Sequence, residues 1–182
     1  APGCFADPNV KVFISVDLEG AAGIIQWDPA ERQREREFIT AEANAAIAGA
    51  FDGGATQVLL NEAHGNMRNV IPEAVDARAT FLSGQPKPRN HMAGIDTTYE
   101  AALFIGYHSK AGTLRGVMAH TYAGSIYSLK FNDLQVGEIG ADAAIAGHYG
   151  VPVIVVTGDR AACLEARGLL GEIETVVVKE GL

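Results

Sequence analysis

The stretch that decides the fold is Lys11-Val12-Phe13-Ile14-Ser15-Val16-Asp17, a short apolar run that ends on a carboxylate. Runs of this length are typical of strands buried inside a parallel sheet. Two more runs have the same form, T-Q-V-L-L-N-E-A-H (56–64) ending on His64 and A-A-L-F-I-G-Y-H (101–108) ending on His108. Ligands and chemistry gather at the carboxyl ends of such strands. We therefore expect the three strand ends to share one site.

Helical segments alternate with these strands. Residues 31–51 are predicted to form a helix because apolar side chains recur on one face every three or four residues. Further helices are predicted over 137–149 and 159–169, and further strands over 80–83, 151–157 and 173–178. This order predicts an α/β fold with a mostly parallel sheet flanked by helices. Extended segments over 116–131 and the turn Asn132-Asp133 predict an inserted antiparallel hairpin near 117–136.

The length of 182 residues predicts a single domain, 1–182, that buries its own core. Its last residues, 176–182, read as a strand and the start of a loop, so we expect that a C-terminal segment is missing. The net charge of −8 argues against nucleic acid as a partner. The longest apolar run, 151–156, is too short to span a membrane. We expect a cytoplasmic protein.

Only two cysteines occur, Cys4 and Cys163, and they form neither a disulfide framework nor a metal motif. The sequence does not decide whether these two cysteines form a disulfide. The phosphate-loop, nucleophile-elbow and H-E-x-x-H motifs do not occur in the sequence either. The sequence therefore lacks the usual signatures of nucleotide hydrolases and of serine hydrolases.

Asp17 and Glu19 lie two residues apart at a strand end, so both carboxylates face the same way and can reach one cation. Alone, such a pair is more often a polar strand-to-loop junction, and His64 or His108 alone is more often a hydrogen-bonding histidine. Together, carboxylates and imidazoles at three strand ends suit zinc. We interpret the convergence as a metal site.

The sequence leaves the roles of four other titratable residues less certain than those of the strand-end residues. Glu138, in G-E-I-G at the start of a predicted helix, either favours the helix dipole or points at the metal. His120 is either a surface residue or, in a hydrolytic site, a proton donor. His91, in a proline-rich loop, and His148, near a helix end, are predicted to lie outside the site.

Five motifs in order carry a resemblance that covers almost the whole chain: S-V-D-L-E-G (15–20), N-E-A-H-G (61–65), G-Y-H (106–108), G-V-M-A-H (116–120) and V-G-E-I-G (136–140). The sequence resembles the D-aminopeptidase family of di-zinc metallopeptidases. That family releases N-terminal residues, with D-residues in its characterised type, from short peptides. It also forms a homodecamer with active sites facing an internal cavity, which implies a homo-oligomer here.

The resemblance implies the role of each site residue. Asp17, Glu19 and His64 would hold one zinc ion, and Asp17, His108 and Glu138 a second, with Asp17 bridging the two. His120 matches the histidine assigned a catalytic role. Most members of the family continue past the position of Leu182, which agrees with a missing C-terminal segment.

Two other functions remain open at this stage. The same ligands would serve a metal-dependent hydrolase of another small amide, such as an acylated or cyclic amino acid. A non-catalytic metal-binding member of the family would also keep them, although a structural site has no need of His120. The sequence does not decide between D- and L-residues, or between zinc and manganese or cobalt.

Overall fold

Six parallel strands form the central sheet of the computed structural model, which describes residues 9–182, in the order β3-β2-β1-β4-β7-β8. A separate antiparallel pair, β5 and β6, makes a second small sheet. The elements are β1 (Lys11–Val16), α1 (Arg32–Asp52), β2 (Gln57–Glu62), β3 (Thr80–Leu82), β4 (Ala101–Tyr107), β5 (Leu129–Phe131), β6 (Leu134–Val136), α2 (Glu138–His148), β7 (Val153–Asp159), α3 (Arg160–Leu170) and β8 (Glu174–Lys179). Short 3₁₀ turns lie at Pro72–Ala74 and Asn90–Met92.

The core has two halves, one on each face of the sheet. Along β1, Ile14 packs in the cluster that contains Ile39 and Ile47 of α1, whereas its neighbour Phe13 packs in the cluster that contains Ile139 of α2. This alternation follows from the two-residue period of a strand. Both faces of β1 and β4 are therefore buried, as expected for the centre of a parallel sheet.

The predicted α/β fold with a mostly parallel sheet is confirmed, and so is the inserted hairpin. The hairpin is shorter than the predicted range, because β5 and β6 together span only 129–136. Residues 117–128 form turns instead of extended segments. Met118 and Tyr122 have positive φ angles of 57° and 55°, which a strand does not allow.

Backbone hydrogen bonds continue past the end of β1 and join the residues after it to β4. Asp17 N donates to Ile105 O at 2.8 Å, and Gly20 N donates to Gly106 O at 2.7 Å. Gly106 has a φ of 69°, and a Cβ atom at this position would overlap the carbonyl oxygen of Asp17. A residue without a side chain is therefore required where the two strands deliver their polar ends.

Two further observations concern the predictions from composition. None of the helices in residues 9–182 is both long enough and apolar enough to cross a bilayer. Cys163 is buried, with 3% of its surface exposed, and Cys4 lies outside the described residues. The possible pairing of these two cysteines therefore stays a prediction.

Candidate metal centre

A cavity of about 230 Å³ opens at the carboxyl edge of the sheet, where the sequence places its polar strand ends. Five of the six predicted site residues line it: Asp17, Glu19, His64, His120 and Glu138. The sixth, His108, is 1% exposed and contacts three of them, Asp17, Glu138 and His120. The structure therefore brings all six predicted residues together, from β1, β2, β4, α2 and the loops that follow the strands.

One group of possible ligands consists of Asp17, Glu19 and His64. The Nδ1 atom of His64 lies 2.7 Å from Glu19 Oε2 and 3.5 Å from Asp17 Oδ1. The two carboxylates are buried, each with 2% of the residue exposed, and both line the cavity. Two carboxylate oxygens and one imidazole nitrogen form a ligand set that zinc accepts.

The second group surrounds His108. Its Nε2 atom lies 3.4 Å from Asp17 Oδ2 and 3.3 Å from Glu138 Oε1. Its Nδ1 atom lies 3.0 Å from the carbonyl oxygen of Ser109, to which it donates, so in the neutral ring Nε2 carries the lone pair. Asp17 thus presents Oδ1 to His64 and Oδ2 to His108.

Two atoms of this second group have no hydrogen-bond partner within the described residues. Asp17 Oδ2 and His108 Nε2 are both buried, and neither is satisfied by another protein atom. Buried polar atoms are almost always paired, so an unpaired carboxylate oxygen facing an unpaired imidazole nitrogen needs an explanation. A divalent cation bound by both residues would satisfy the two atoms, and these ligand types fit zinc.

His120 lies above His108, with the two rings stacked at a centroid distance of 4.0 Å. Its Nδ1 atom donates to the carbonyl oxygen of Met118 at 2.9 Å. Its Nε2 atom faces both Glu19 Oε1 at 3.8 Å and Glu138 Oε1 at 3.7 Å. His120, His108 and Glu138 together are also close enough to hold an ion, so the geometry allows His120 to act either as a ligand or as a proton donor.

The charges of the metal-free site are strongly coupled. Burial alone would lower the pKa of His64 and His108, but the carboxylates around them raise each pKa to about 10. Burial, together with the charge of Glu19, raises the pKa of Asp17 above its ordinary value. Burial opposes the ionisation of Glu19 too, yet its hydrogen bond with His64 holds its pKa well below the usual range. Without a metal, protons on the histidines balance the carboxylates.

The prediction that His91 lies outside the site is wrong. His91 lines the cavity, its Nδ1 atom lies 3.1 Å from Asp142 Oδ2, and the same atom is 3.6 Å from Glu138 Oε2. No residue pattern indicates this position, because His91 reaches the cavity from a short 3₁₀ turn in the loop before β4. The prediction for His148 agrees with the structure, since His148 is exposed at the end of α2.

Trp27 is the other cavity residue that sequence reasoning missed. Its Nε1 atom donates to Glu19 Oε1 at 2.9 Å, and its ring meets His120 edge to face at 5.5 Å between centroids. The feature that could have indicated this contact is a single tryptophan in the loop that follows Asp17 and Glu19. No spacing rule connects it to the ligands, because the contact depends on how the loop turns back.

Comparison with known proteins agrees with this geometry. The chain is 39% identical over 176 residues to a D-aminopeptidase of Bacillus subtilis (strain 168), covering 94% of this chain and 64% of the relative. A solved structure, the Zn-dependent D-aminopeptidase DppA from Bacillus subtilis, described as a self-compartmentalizing protease, superposes with a TM-score of 0.90 at 38% identity. That match covers 95% of this chain and 65% of DppA, so the chain spans about two-thirds of the length of these relatives.

The family comparison covers the whole site. Residues 10–182, which include every predicted ligand, match the sequence profile of one peptidase family, described as D-aminopeptidase. The match extends beyond the strand-end motifs to β7, α3 and β8, so it concerns the entire described fold and not the cavity alone. The chain is therefore a member of the D-aminopeptidase family.

Proposed function

We propose that this protein is a zinc-dependent aminopeptidase that removes N-terminal residues, D-residues in particular, from short peptides. One observation carries the proposal: a buried carboxylate, Asp17, faces two separate ligand groups and leaves one oxygen unpaired opposite His108. Membership of the family and the likeness to a Zn-dependent D-aminopeptidase support zinc and the substrate class.

We further propose two zinc ions per chain. Asp17, Glu19 and His64 would hold one ion, and Asp17, His108 and Glu138 the other. Bound zinc would polarise the scissile carbonyl and lower the pKa of a water towards neutrality. The protein's own task is to keep three carboxylates ionised and two imidazoles neutral within one small cavity.

His120 is the residue that we assign to proton transfer. Its Nδ1–H bond to Met118 O fixes the ring, so that Nε2 points into the cavity towards Glu19 and Glu138. A protonated Nε2 would donate to the developing oxyanion or to the leaving amine. The positive φ angles at Met118 and Tyr122 bend the loop on both sides of His120 and so aim it inward.

The substrate's free amino group has acceptors in the same cavity. Glu19 Oε1 and Glu138 Oε1 both lie at its wall, and either carboxylate can accept from an ammonium group. A cavity of about 230 Å³ accommodates a terminal residue but not a folded chain. These two features favour release of terminal residues over internal cleavage.

A substrate panel on the zinc-loaded protein tests this function. We expect turnover of D-aminoacyl amides and dipeptides, weaker turnover of L-aminoacyl amides, and none of the N-acetylated forms. His120→Ala should lower kcat by about 10²–10⁴-fold while the zinc content stays at the wild-type value. Turnover of N-acetylated or cyclic amides alone would point instead to another small-amide hydrolase, and loss of zinc in His120→Ala would make His120 a ligand.

We also propose a homo-oligomer, with a decamer as the specific form, because the structural relative is a self-compartmentalizing protease. Such an assembly would limit substrate length by access to the cavity. Light scattering coupled to gel filtration measures this directly, and a decamer has ten times the chain mass of 19.1 kDa. A monomer that cleaves the same short peptides would show that enclosure is not needed for the activity.

A further inference from the structure

A fourth buried carboxylate lies one helical turn beyond Glu138. Asp142 follows Glu138 by four residues in α2, so both side chains project from the same face of the helix. Asp142 is 1% exposed and does not line the cavity. It accepts hydrogen bonds from His91 Nδ1 at 3.1 Å, Tyr107 OH at 2.9 Å and Tyr122 OH at 3.3 Å.

Two of these three residues also contact Glu138. The backbone N–H of Tyr122 donates to Glu138 Oε1 at 2.6 Å, and His91 Nδ1 lies 3.6 Å from Glu138 Oε2. The four residues therefore form a closed ring, Asp142–His91–Glu138–Tyr122, in which each oxygen of Glu138 faces one of the two residues that Asp142 also contacts. The rings of His91 and Tyr122 also pack against each other at 5.2 Å between centroids.

The far side of this ring is fixed to the sheet. The carbonyl oxygen of His91 accepts from Ser15 Oγ at 2.9 Å and from the side-chain amide of Asn61. Ser15 Oγ is in turn 2.7 Å from Tyr107 OH, the third donor to Asp142. His91 is thus held through its backbone by β1 and β2 and through its ring by α2, which leaves it little freedom to rotate.

We propose that Asp142 is a positioning residue that, through His91 and Tyr122, orients the Glu138 carboxylate for one of the two zinc ions and leaves the other ion unaffected. This inference rests on the proposed two-zinc function. Groups that hydrogen-bond to metal ligands fix the direction of their lone pairs, and losing such a group typically weakens metal binding about 10–100-fold. The Asp17, Glu19 and His64 group has a separate hydrogen-bond donor in Trp27, whose Nε1 atom bonds Glu19.

Simple core packing does not explain Asp142. A carboxylate at a fully buried helix position is costly to desolvate, and an apolar residue of similar volume is often as stable or more stable there. The surrounding face of α2 is already apolar, with Ile139 and Ala146 buried in the adjacent cluster. What a carboxylate adds at this position is simultaneous hydrogen bonds to the His91 imidazole and the Tyr122 hydroxyl, which hold the two residues that contact Glu138.

Zinc competition against a chromophoric chelator tests the proposal on the oligomeric protein as purified. We expect wild type to bind two zinc ions per chain. In Asp142→Asn, one ion should bind about 10–100-fold more weakly and the other should change less than about threefold. Glu138→Gln identifies the affected ion, because it removes the ligand on that side. Tyr122→Phe, which keeps the backbone N–H donor, should cause a smaller loss of the same ion.

Glu165→Gln is the matched control. Glu165, in α3, has a side chain that is 4% exposed, and it pairs with Lys110 through the backbone N–H at 2.9 Å and Nζ at 3.5 Å instead of contacting the ring around Glu138. We expect this variant to bind both zinc ions as wild type does, even if its stability falls.

Three results would separate the possibilities. Unchanged binding of both ions in Asp142→Asn would overturn the proposal, and so would equal weakening of both, which indicates a structural role only. If Asp142→Asn does not fold, His91→Gln and Tyr122→Phe must each weaken the Glu138 ion selectively, or the inference fails. A wild-type protein that binds fewer than two zinc ions would contradict the proposed function itself, whatever the variants do.

Discussion

Replacing Asp17 by asparagine should change stability in opposite directions with and without zinc. Asp17 is 2% exposed, burial and the charge of Glu19 raise its pKa, and its Oδ2 atom has no protein partner. At a pH above the ordinary pKa of an aspartate, Asp17 is ionised in the unfolded chain, whereas the metal-free fold disfavours its ionised form. The ionised carboxylate therefore destabilises the metal-free protein at neutral pH, and Asp17→Asn removes that destabilisation.

The magnitude follows from the missing partner. An unsatisfied buried polar group costs about 1–3 kcal/mol, and in a chain of this size each kcal/mol shifts Tm by about 2–4 °C. Metal-free Asp17→Asn should therefore melt about 2–12 °C above metal-free wild type. Zinc at 100 times its Kd adds about 2.7 kcal/mol per site to wild type, or about 10–20 °C for two sites. The variant should gain little, because both sites use Asp17.

Differential scanning fluorimetry at pH 7.5, on protein stripped with a chelator and then titrated with zinc, measures both effects. Asp133→Asn makes the same chemical change in the exposed turn between β5 and β6, and we expect it to differ from wild type by less than about 0.5 kcal/mol in both states. If metal-free Asp17→Asn melts below wild type, or if zinc raises both proteins equally, the reasoning about a bridging carboxylate is refuted.

Three further predictions concern the same edge of the sheet. Zinc binding at pH 8 should release about two protons or more per chain, because His64 and His108 have a pKa of about 10 in the metal-free fold and must lose their protons to bind zinc. Calorimetry in buffers of different ionisation enthalpy measures the number of protons released, and a value below one would contradict this prediction. Trp27→Phe removes the hydrogen-bond donor to Glu19 and should weaken the binding of one zinc ion about 10–100-fold in a chelator competition. Unchanged zinc binding would show that the contact between Trp27 and Glu19 does not support the site. Gly106→Ala should destabilise the protein by about 3 kcal/mol or more in urea unfolding, because of its positive φ and the overlap with Asp17, whereas Gly147→Ala in α2, which has open space, should be neutral or stabilising.

The order and type of the main elements could be predicted because their signals are local. Apolar runs bounded by polar ends marked β1, β2 and β4, and the three-to-four-residue period marked α1. Residues 117–128 could not be predicted in the same way. Their path is set by contacts with residues far along the chain: the Tyr122 N–H donates to Glu138, and the Val117 N–H donates to Asp159.

The same distinction holds at the site. Asp17, Glu19, His64 and His108 could be predicted to converge because parallel strands end at one edge. Glu138 and His120 needed the family resemblance, since neither follows a strand of the main sheet. Trp27, His91 and Asp142 were missed because each reaches the site through a loop turn or a helix packing that no residue pattern encodes.

We propose that one protein chain holds two zinc ions through a shared Asp17. Metal analysis by mass spectrometry, on wild type and Asp17→Ala purified without added metal, measures this. We expect close to two zinc ions per chain in wild type and loss of both in the variant. A wild-type protein that takes up no zinc, or a variant that keeps two ions, would contradict it.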